Sequence, residues 1–129
     1  MSGIESVINS ESILDSIKKL IGFNKDYTQF DVDVIININS SLSRLWSLGI
    51  GPKTGFKIKD SSSVWTELIG DGKMFENVKM YVYLKAKLVF DPPASSAVIQ
   101  AYKDEIKELE WLLEAMPSMI DEEVSSQNG

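Results

Sequence analysis

The sequence predicts an all-α fold, a small bundle of about four to five helices. Apolar residues recur at spacings of three and four in most segments between residues 11 and 117, which is the period of an amphipathic helix. Glycine or proline stands between these segments, where helices are expected to end. One long loop rich in glycine and proline interrupts the pattern and is compatible with a short strand or hairpin.

The chain divides into three parts. Its 129 residues suffice for one domain that buries about two-thirds of its unfolded surface. We predict a flexible leader (1–10), a helical domain (11–117) and an acidic disordered tail (118–129). The tail prediction rests on Pro117 and on the polar residues that follow it.

The first predicted helix starts after Ser12, whose hydroxyl is suited to cap the unpaired N–H groups of the first turn. Its apolar face consists of Ile13, Leu14, Ile17, Leu20 and Ile21. Gly22 is placed to end it, because glycine adopts the left-handed conformation without steric cost. Lys18 and Lys19 lie near its C-terminus, where positive charge interacts favourably with the helix dipole.

The next segment fits two kinds of secondary structure. A strand-like alternation runs through Phe30, Val32, Val34, Ile36 and Ile38. A helical pattern runs further, through Val34, Ile35, Ile38, Leu42, Leu45 and Trp46. We predict a helix over about residues 31–48, with Asp31 suited to cap it and Gly49 to end it. A strand remains the alternative.

Residues 49–63 form the predicted loop, punctuated by Gly49, Gly51, Pro52 and Gly55. Within it, residues 56–59 alternate between apolar and basic side chains, which favours a short strand or an extended arm. Ser62 or Ser63 is placed to cap a brief helix over residues 64–69.

Two helices are predicted after this loop. The first covers about residues 74–89, and Lys85 interrupts its apolar face. Residues 91–93, Asp-Pro-Pro, end it because proline lacks the backbone N–H. Ser95 and Ser96 then cap a last helix of about five turns. Its apolar seam has a period of 3.5 and consists of Ile99, Tyr102, Ile106, Leu109, Leu113 and Met116.

Composition excludes several classes of function. The chain has no cysteine and no histidine, so it lacks disulfides, Cys/His zinc sites, thiol nucleophiles and imidazole-based triads. Its 13 basic and 19 acidic residues give a formal charge of −6, which opposes avid binding to nucleic acid. The first residues lack the pattern of a signal peptide, and no apolar run is long enough to span a bilayer. We therefore expect a soluble protein without a membrane partner.

The candidate binding motifs are weak. Residues 49–55 resemble a phosphate-binding loop only faintly, because Pro52 removes one N–H group and the segment follows a predicted helix. The pairs Asp31 with Asp33 and Asp60 with Asp71 do not have the spacing of an EF-hand and are better explained as caps and turns. We predict no catalytic residue, no metal and no cofactor.

Four stretches of the sequence resemble the head–tail connector (adaptor) proteins of long-tailed bacteriophages. They are ILDSIKKLIG at residues 13–22, INS at 38–40, LGIGP at 48–52, and FDPP at 90–93 together with IKELEW at 106–111. Their order and spacing agree over about residues 12–116. The motifs are short and largely structural.

The resemblance implies a virion structural protein of the phage neck with no enzymatic activity. Such a protein assembles into a ring, typically dodecameric, beneath the portal protein and extends the DNA channel. The implied partners are the portal protein, a stopper or tail-completion protein, and further copies of the chain. DNA passes through the lumen without sequence-specific binding. The alternative is a small helical regulator that binds a partner protein in the host cytoplasm.

The candidates for subunit or portal contacts come from the loop, the tryptophans and the last helix. Residues 49–60 carry apolar side chains among lysines, which suggests an arm that touches a neighbour. The last helix and the tail are candidates for docking on the portal, by analogy with the family's C-terminal extension. Tryptophans are more typical of a core, and the alternative is that one or more anchors a subunit contact. The candidates are Trp46, Pro52, Phe56, Ile58, Trp65, Trp111, Met116, Met119 and Ile120.

Overall fold

The computed structural model describes residues 11–69 and 74–128, and it describes side chains as far as residue 115. Within these residues the fold is all-α, as predicted, with no β-sheet. The helices are α1 (Ile13–Leu20), α2 (Asp31–Ser47), α3 (Trp65–Ile69), α4 (Phe75–Phe90) and α5 (Ser96–Asn128). Helix α4 packs against α1, α2 and α5, so it occupies the centre of the bundle. The predicted flexible leader, residues 1–10, lies outside the described residues.

Helix α1 begins and ends where the sequence predicts. The Ser12 hydroxyl accepts a hydrogen bond from the Asp15 N–H at 3.2 Å, and Gly22 follows the helix with a φ of 96°. A single antiparallel bridge pairs Ser12 with Val64 and places the start of α1 beside the start of α3. Helix α1 contributes Ile13, Leu14 and Ile17 to the core, and Ile21 directly after the helix joins them.

Helix α2 confirms the helical prediction over the strand alternative. Val34 and Ile38 are fully buried, whereas Val32 and Ile36 are exposed on the other side of the same helix. The alternation in the sequence therefore reflects a helix with apolar residues on two faces. Asp31 was expected to cap this helix, but Phe30 occupies the cap position and makes no side-chain cap bond. Asp31 instead lies in the first turn and pairs with Lys18.

Lys18 is a buried charged residue in the core of the bundle. Its ammonium group lies 2.7 Å from Asp31 Oδ1 and donates a hydrogen bond to the Lys25 carbonyl oxygen at 3.0 Å. Near the C-terminus of α1 its charge also suits the dipole. Its main structural role, however, is to join α1, the loop at Lys25 and the start of α2 in one contact.

The long loop forms neither a strand nor a free arm. Residues 56–59 contain no strand, and Ile58 is 1% exposed within the core. Burial stabilises this apolar side chain, and hydrogen bonds with the Asn39 side chain hold its backbone. The cap predicted at Ser62 or Ser63 is also wrong, because the Glu67 carboxylate accepts the Val64 N–H at 2.9 Å.

Helix α5 begins as predicted and extends further. The Ser95 hydroxyl accepts a hydrogen bond from the Val98 N–H, and Leu109 and Leu113 from the predicted seam are buried. The helix runs to Asn128 rather than ending near Pro117. A proline removes one backbone hydrogen bond of a helix, and residues on both sides of Pro117 have adequate helical propensity. In the part of the chain that the structure describes, no helix has the length and apolarity that crossing a membrane requires.

Candidate functional site

The structure separates the predicted contact residues into three groups. Ile58 and Trp65 are buried, so in this structure neither offers side-chain surface to a partner. Trp46 and Trp111 are exposed by 51% and 77%, and Pro52 and Phe56 are partly exposed. The side chains of Met116, Met119 and Ile120 lie outside the described part of α5. Two of the three tryptophans are therefore available at the surface.

Trp65 belongs to the core. Its indole N–H donates to the Ser16 hydroxyl at 2.9 Å, and its ring meets Phe75 edge-on with the centroids 6.0 Å apart. A buried indole needs a partner for its N–H, and α1 supplies it. Trp65 thus joins α1, α3 and α4.

Trp46 forms one wall of a groove between α2 and the long loop. Its indole N–H donates to the Lys53 carbonyl oxygen at 3.2 Å, which ties the loop to the end of α2. The volume of this groove is about 340 Å³. We call it the loop groove, and it is lined by Asn39, Leu42, Ser43, Trp46, Thr54, Gly55, Phe56 and Lys57.

Asn39 holds the far wall of the loop groove in place. Its side-chain amide accepts the Ile58 N–H at 2.8 Å and donates to the Ile58 carbonyl oxygen at 2.9 Å. One side chain thereby satisfies both backbone polar groups of a buried residue, as a neighbouring strand would. Asn39 lies within one of the stretches that resemble phage connectors, and the clamp gives that motif a structural role.

A second exposed surface lies where α2 meets the end of α4. Val32, Ile36 and Val89 are exposed by 70%, 63% and 61%, and Ile36 and Val89 line the same shallow cleft. We call these three residues the α2–α4 patch. Exposed large aliphatic side chains that cluster often mark an interaction site. This patch was not predicted from the sequence, although the alternation through Val32 and Ile36 was its signal.

A polar network joins α2, α4 and α5. Glu110 Oε1 lies 3.1 Å from Arg44 Nε and accepts the Tyr81 hydroxyl at 2.7 Å. Burial, with help from the bond to Glu110, raises the pKa of Tyr81 well above its ordinary value. Partial burial on its own would raise the pKa of Glu110, but hydrogen bonds from Arg44 and Tyr81 outweigh it, and the net pKa is lowered. The network fixes the position of α5 on the bundle.

These features suit binding surfaces better than a reactive centre. The perturbed groups Tyr81 and Glu110 are hydrogen-bonded to each other between the packed helices α4 and α5. Among the side chains that the structure describes, those of residues 11–69 and 74–115, no three acidic residues are grouped so that they would hold a metal ion. The exposed features are apolar and aromatic side chains with polar surroundings, which is the composition of a protein interface.

Comparison with known families identifies the class of protein. A family model described as "Phage connector protein" matches residues 13–118. The chain belongs to the phage connector family. Neither the curated proteins nor the solved structures include a significant match to it.

Family membership gives the connector its general role. It is a structural component of the phage neck, the junction between head and tail, and the family is structural rather than enzymatic. This role implies contacts with portal or tail components. The matched range contains α1 to α4, both exposed surfaces and the Glu110 network, so the features described above belong to the family domain.

Proposed function

We propose that the connector forms a ring beneath the portal protein in the neck of the virion. The proposed ring is a dodecamer. It extends the DNA channel and joins the head to a stopper or tail-completion protein. The match to the phage connector family is the observation that carries the proposal. The exposed apolar surfaces support it, because a ring subunit in this place needs contacts with two neighbours and with partners above and below.

A closed ring requires heterologous contacts, in which one face of a subunit binds a different face of the next. The connector has more than one exposed apolar surface. The loop groove and the α2–α4 patch lie on or beside α2, and Trp111 and Leu112 are exposed on α5. These surfaces therefore lie on two different helices, α2 and α5, and both helices pack on α4.

The charge of the connector suits a channel for DNA. Each copy has a formal charge of −6, so twelve copies would bring 12 × −6 = −72. Any share of this charge that faces the lumen repels the phosphate backbone and keeps the DNA mobile. This agrees with a passage that DNA crosses without being bound.

Electron microscopy of the connector mixed with its portal protein, and mass spectrometry of purified virions, test the proposal. We expect a ring coaxial with the portal and the connector among the virion proteins. Ile36→Asp should reduce assembly, because it places a charge in the α2–α4 patch. Glu105→Gln, an exposed position on α5, is the matched control. Virions that lack the connector would refute the proposal, and would favour a regulator of the host cytoplasm.

Point substitutions are preferable to a deletion of the loop. Removing residues 52–59 would also remove Ile58 from the core and break its clamp to Asn39. Loss of a large buried aliphatic residue costs about 2–5 kcal/mol, so such a variant would fail to assemble for reasons of stability alone.

A further inference from the structure

The loop groove is a preformed site, and the loop beside it has a net positive charge in an acidic chain. Its Trp46 wall is half exposed and is fixed by the bond to the Lys53 carbonyl oxygen, and its opposite wall is fixed by Asn39. A cavity of about 150 Å³ accommodates a benzene ring, and the groove has about twice that volume. It therefore has room for apolar side chains presented by another helix.

The loop that forms one side of the groove carries basic side chains, of which Lys57 lines the groove itself. Lys53, Lys57 and Lys59 are exposed, and none of them has an ion-pair partner among residues 11–69 and 74–115. With Asp60 as the one acidic residue, residues 49–60 have a net charge of 3 − 1 = +2 in a chain whose total is −6. A ligand that combines an apolar seam with negative charge would complement this surface.

The C-terminal part of the same sequence has the complementary character. Residues 108–129 contain no lysine or arginine, and their acidic residues are Glu108, Glu110, Glu114, Asp121, Glu122 and Glu123. Apolar residues recur at helical spacing beside the last three, at Met116, Met119, Ile120 and Val124. The backbone of α5 is helical through this stretch. An amphipathic helix of this kind is a common occupant of apolar grooves.

Helix α5 carries this segment past the Glu110 contact of its own subunit. Glu110 contacts Arg44, which lies only two residues before Trp46, so the groove is near the level of Glu110. Met119 comes nine residues later in a continuous helix, about 14 Å further along the axis. A second copy of the chain is free of this constraint.

We infer that the loop groove of one connector subunit binds residues 116–124 of the α5 helix of a neighbouring subunit. The apolar residues of that segment enter between Trp46 and Phe56, and its carboxylates lie among Lys53 and Lys57. The contact is heterologous, because groove and helix are different surfaces, so repetition of it builds a ring. The inference rests on the proposed ring and specifies the contact that closes it.

Cross-linking of single-cysteine variants tests this contact, since the natural chain has no cysteine. Full-length chains with Thr54→Cys are mixed with full-length chains with Ile120→Cys and assembled on the portal, and a short bismaleimide is added. Because each cysteine is on a different chain, a mixed dimer identified by mass spectrometry reports a contact between subunits. Glu105→Cys, exposed on the same helix, replaces Ile120→Cys in the control mixture. We expect mixed dimers in the first mixture and not in the second.

Charge reversal provides a second measure. Lys53→Glu with Lys57→Glu in the Thr54→Cys chain should lower the yield of mixed dimer at least about tenfold. Asp121→Lys with Glu122→Lys in the Ile120→Cys chain should lower it similarly, and combining the two reversed chains should restore it. If the reversed chains had simply lost their fold, combining them would not restore the yield of mixed dimer.

The outcomes separate this inference from the proposed function. Rings on the portal that give no cross-link between Thr54→Cys and Ile120→Cys would overturn the inference and leave the ring intact. An equally strong cross-link with Glu105→Cys would overturn it too. Absence of the connector from portal assemblies and virions would instead refute the proposed function, and the inference with it.

Discussion

Replacing Asn39 with alanine should release the long loop from α2. The substitution removes two hydrogen bonds, of 2.8 and 2.9 Å, that the side chain makes with the Ile58 backbone. Each such bond contributes about 0.5–1.5 kcal/mol net, and an unsatisfied buried donor or acceptor adds a penalty of its own. Because Ile58 is buried, we expect the free energy of unfolding to fall by about 2–4 kcal/mol.

Asn37→Ala is the matched control, because Asn37 lies two residues earlier on the same helix and is also half-buried. Its side-chain oxygen is buried without a hydrogen-bond partner. Its loss should therefore leave stability nearly unchanged or raise it slightly. The two variants remove the same chemical group from the same helix and differ in whether that group is bonded.

Urea denaturation followed by tryptophan fluorescence measures the difference, since Trp65 is buried and changes environment on unfolding. Hydrogen exchange adds a local measurement, because the Ile58 amide should lose protection in Asn39→Ala. Equal denaturation midpoints for the two variants, or an Ile58 amide that stays as protected as in the natural protein, would contradict a stabilising role of the Asn39 bonds.

Two further perturbations address charged residues. Asp31→Ala leaves the buried Lys18 ammonium without its carboxylate. We expect the free energy of unfolding, measured by chemical denaturation, to fall by roughly 3 kcal/mol. A fall below about 1 kcal/mol would contradict a buried ion pair. Lys18→Met in the same background should recover part of that loss, because it removes the unpaired charge. The pKa of Glu110 is lower in the folded state, so its contribution is present above the ordinary glutamate pKa and is lost as pH falls through the folded value. Glu110→Gln should thus be less stable than the natural protein at neutral pH, and the gap measured by thermal unfolding should narrow below about pH 4. Tyr81→Phe should cost about 1–2 kcal/mol at neutral pH, measured in urea, and an unchanged midpoint would argue against the hydrogen bond to Glu110.

Local signals in the sequence predicted the elements of the fold well. Ser12 and Gly22 bound α1 as expected because capping depends on neighbours within a few residues. The apolar seam of α5 likewise follows from periodicity, and Leu109 and Leu113 are buried. The family resemblance, carried by short motifs, was confirmed by the match to the phage connector family.

Contacts between distant residues were not predictable from these signals. Nothing near Asn39 indicates that its amide bonds to a backbone 19 residues away, so Ile58 was expected in an arm. From the sequence alone, Lys18 has only a favourable position in the dipole at the end of α1, and the packing of α1 on α2 is what buries it beside Asp31. Burial also had to come from the structure: the tryptophans were more typical of a core, yet Trp46 and Trp111 are exposed, and they remain only candidates for contacts. The clamp and the α2–α4 patch likewise required the structure.

The length of α5 gives the Glu110 network a mechanical consequence. Eighteen residues follow Glu110 in this helix, which corresponds to a lever arm of about 27 Å. A tilt of about ten degrees at the pivot would move the tip by about 5 Å, the height of one helical turn. Two hydrogen bonds at the pivot, one of them within the Arg44–Glu110 charge pair, thus help to set the position of the far end of α5 in each subunit.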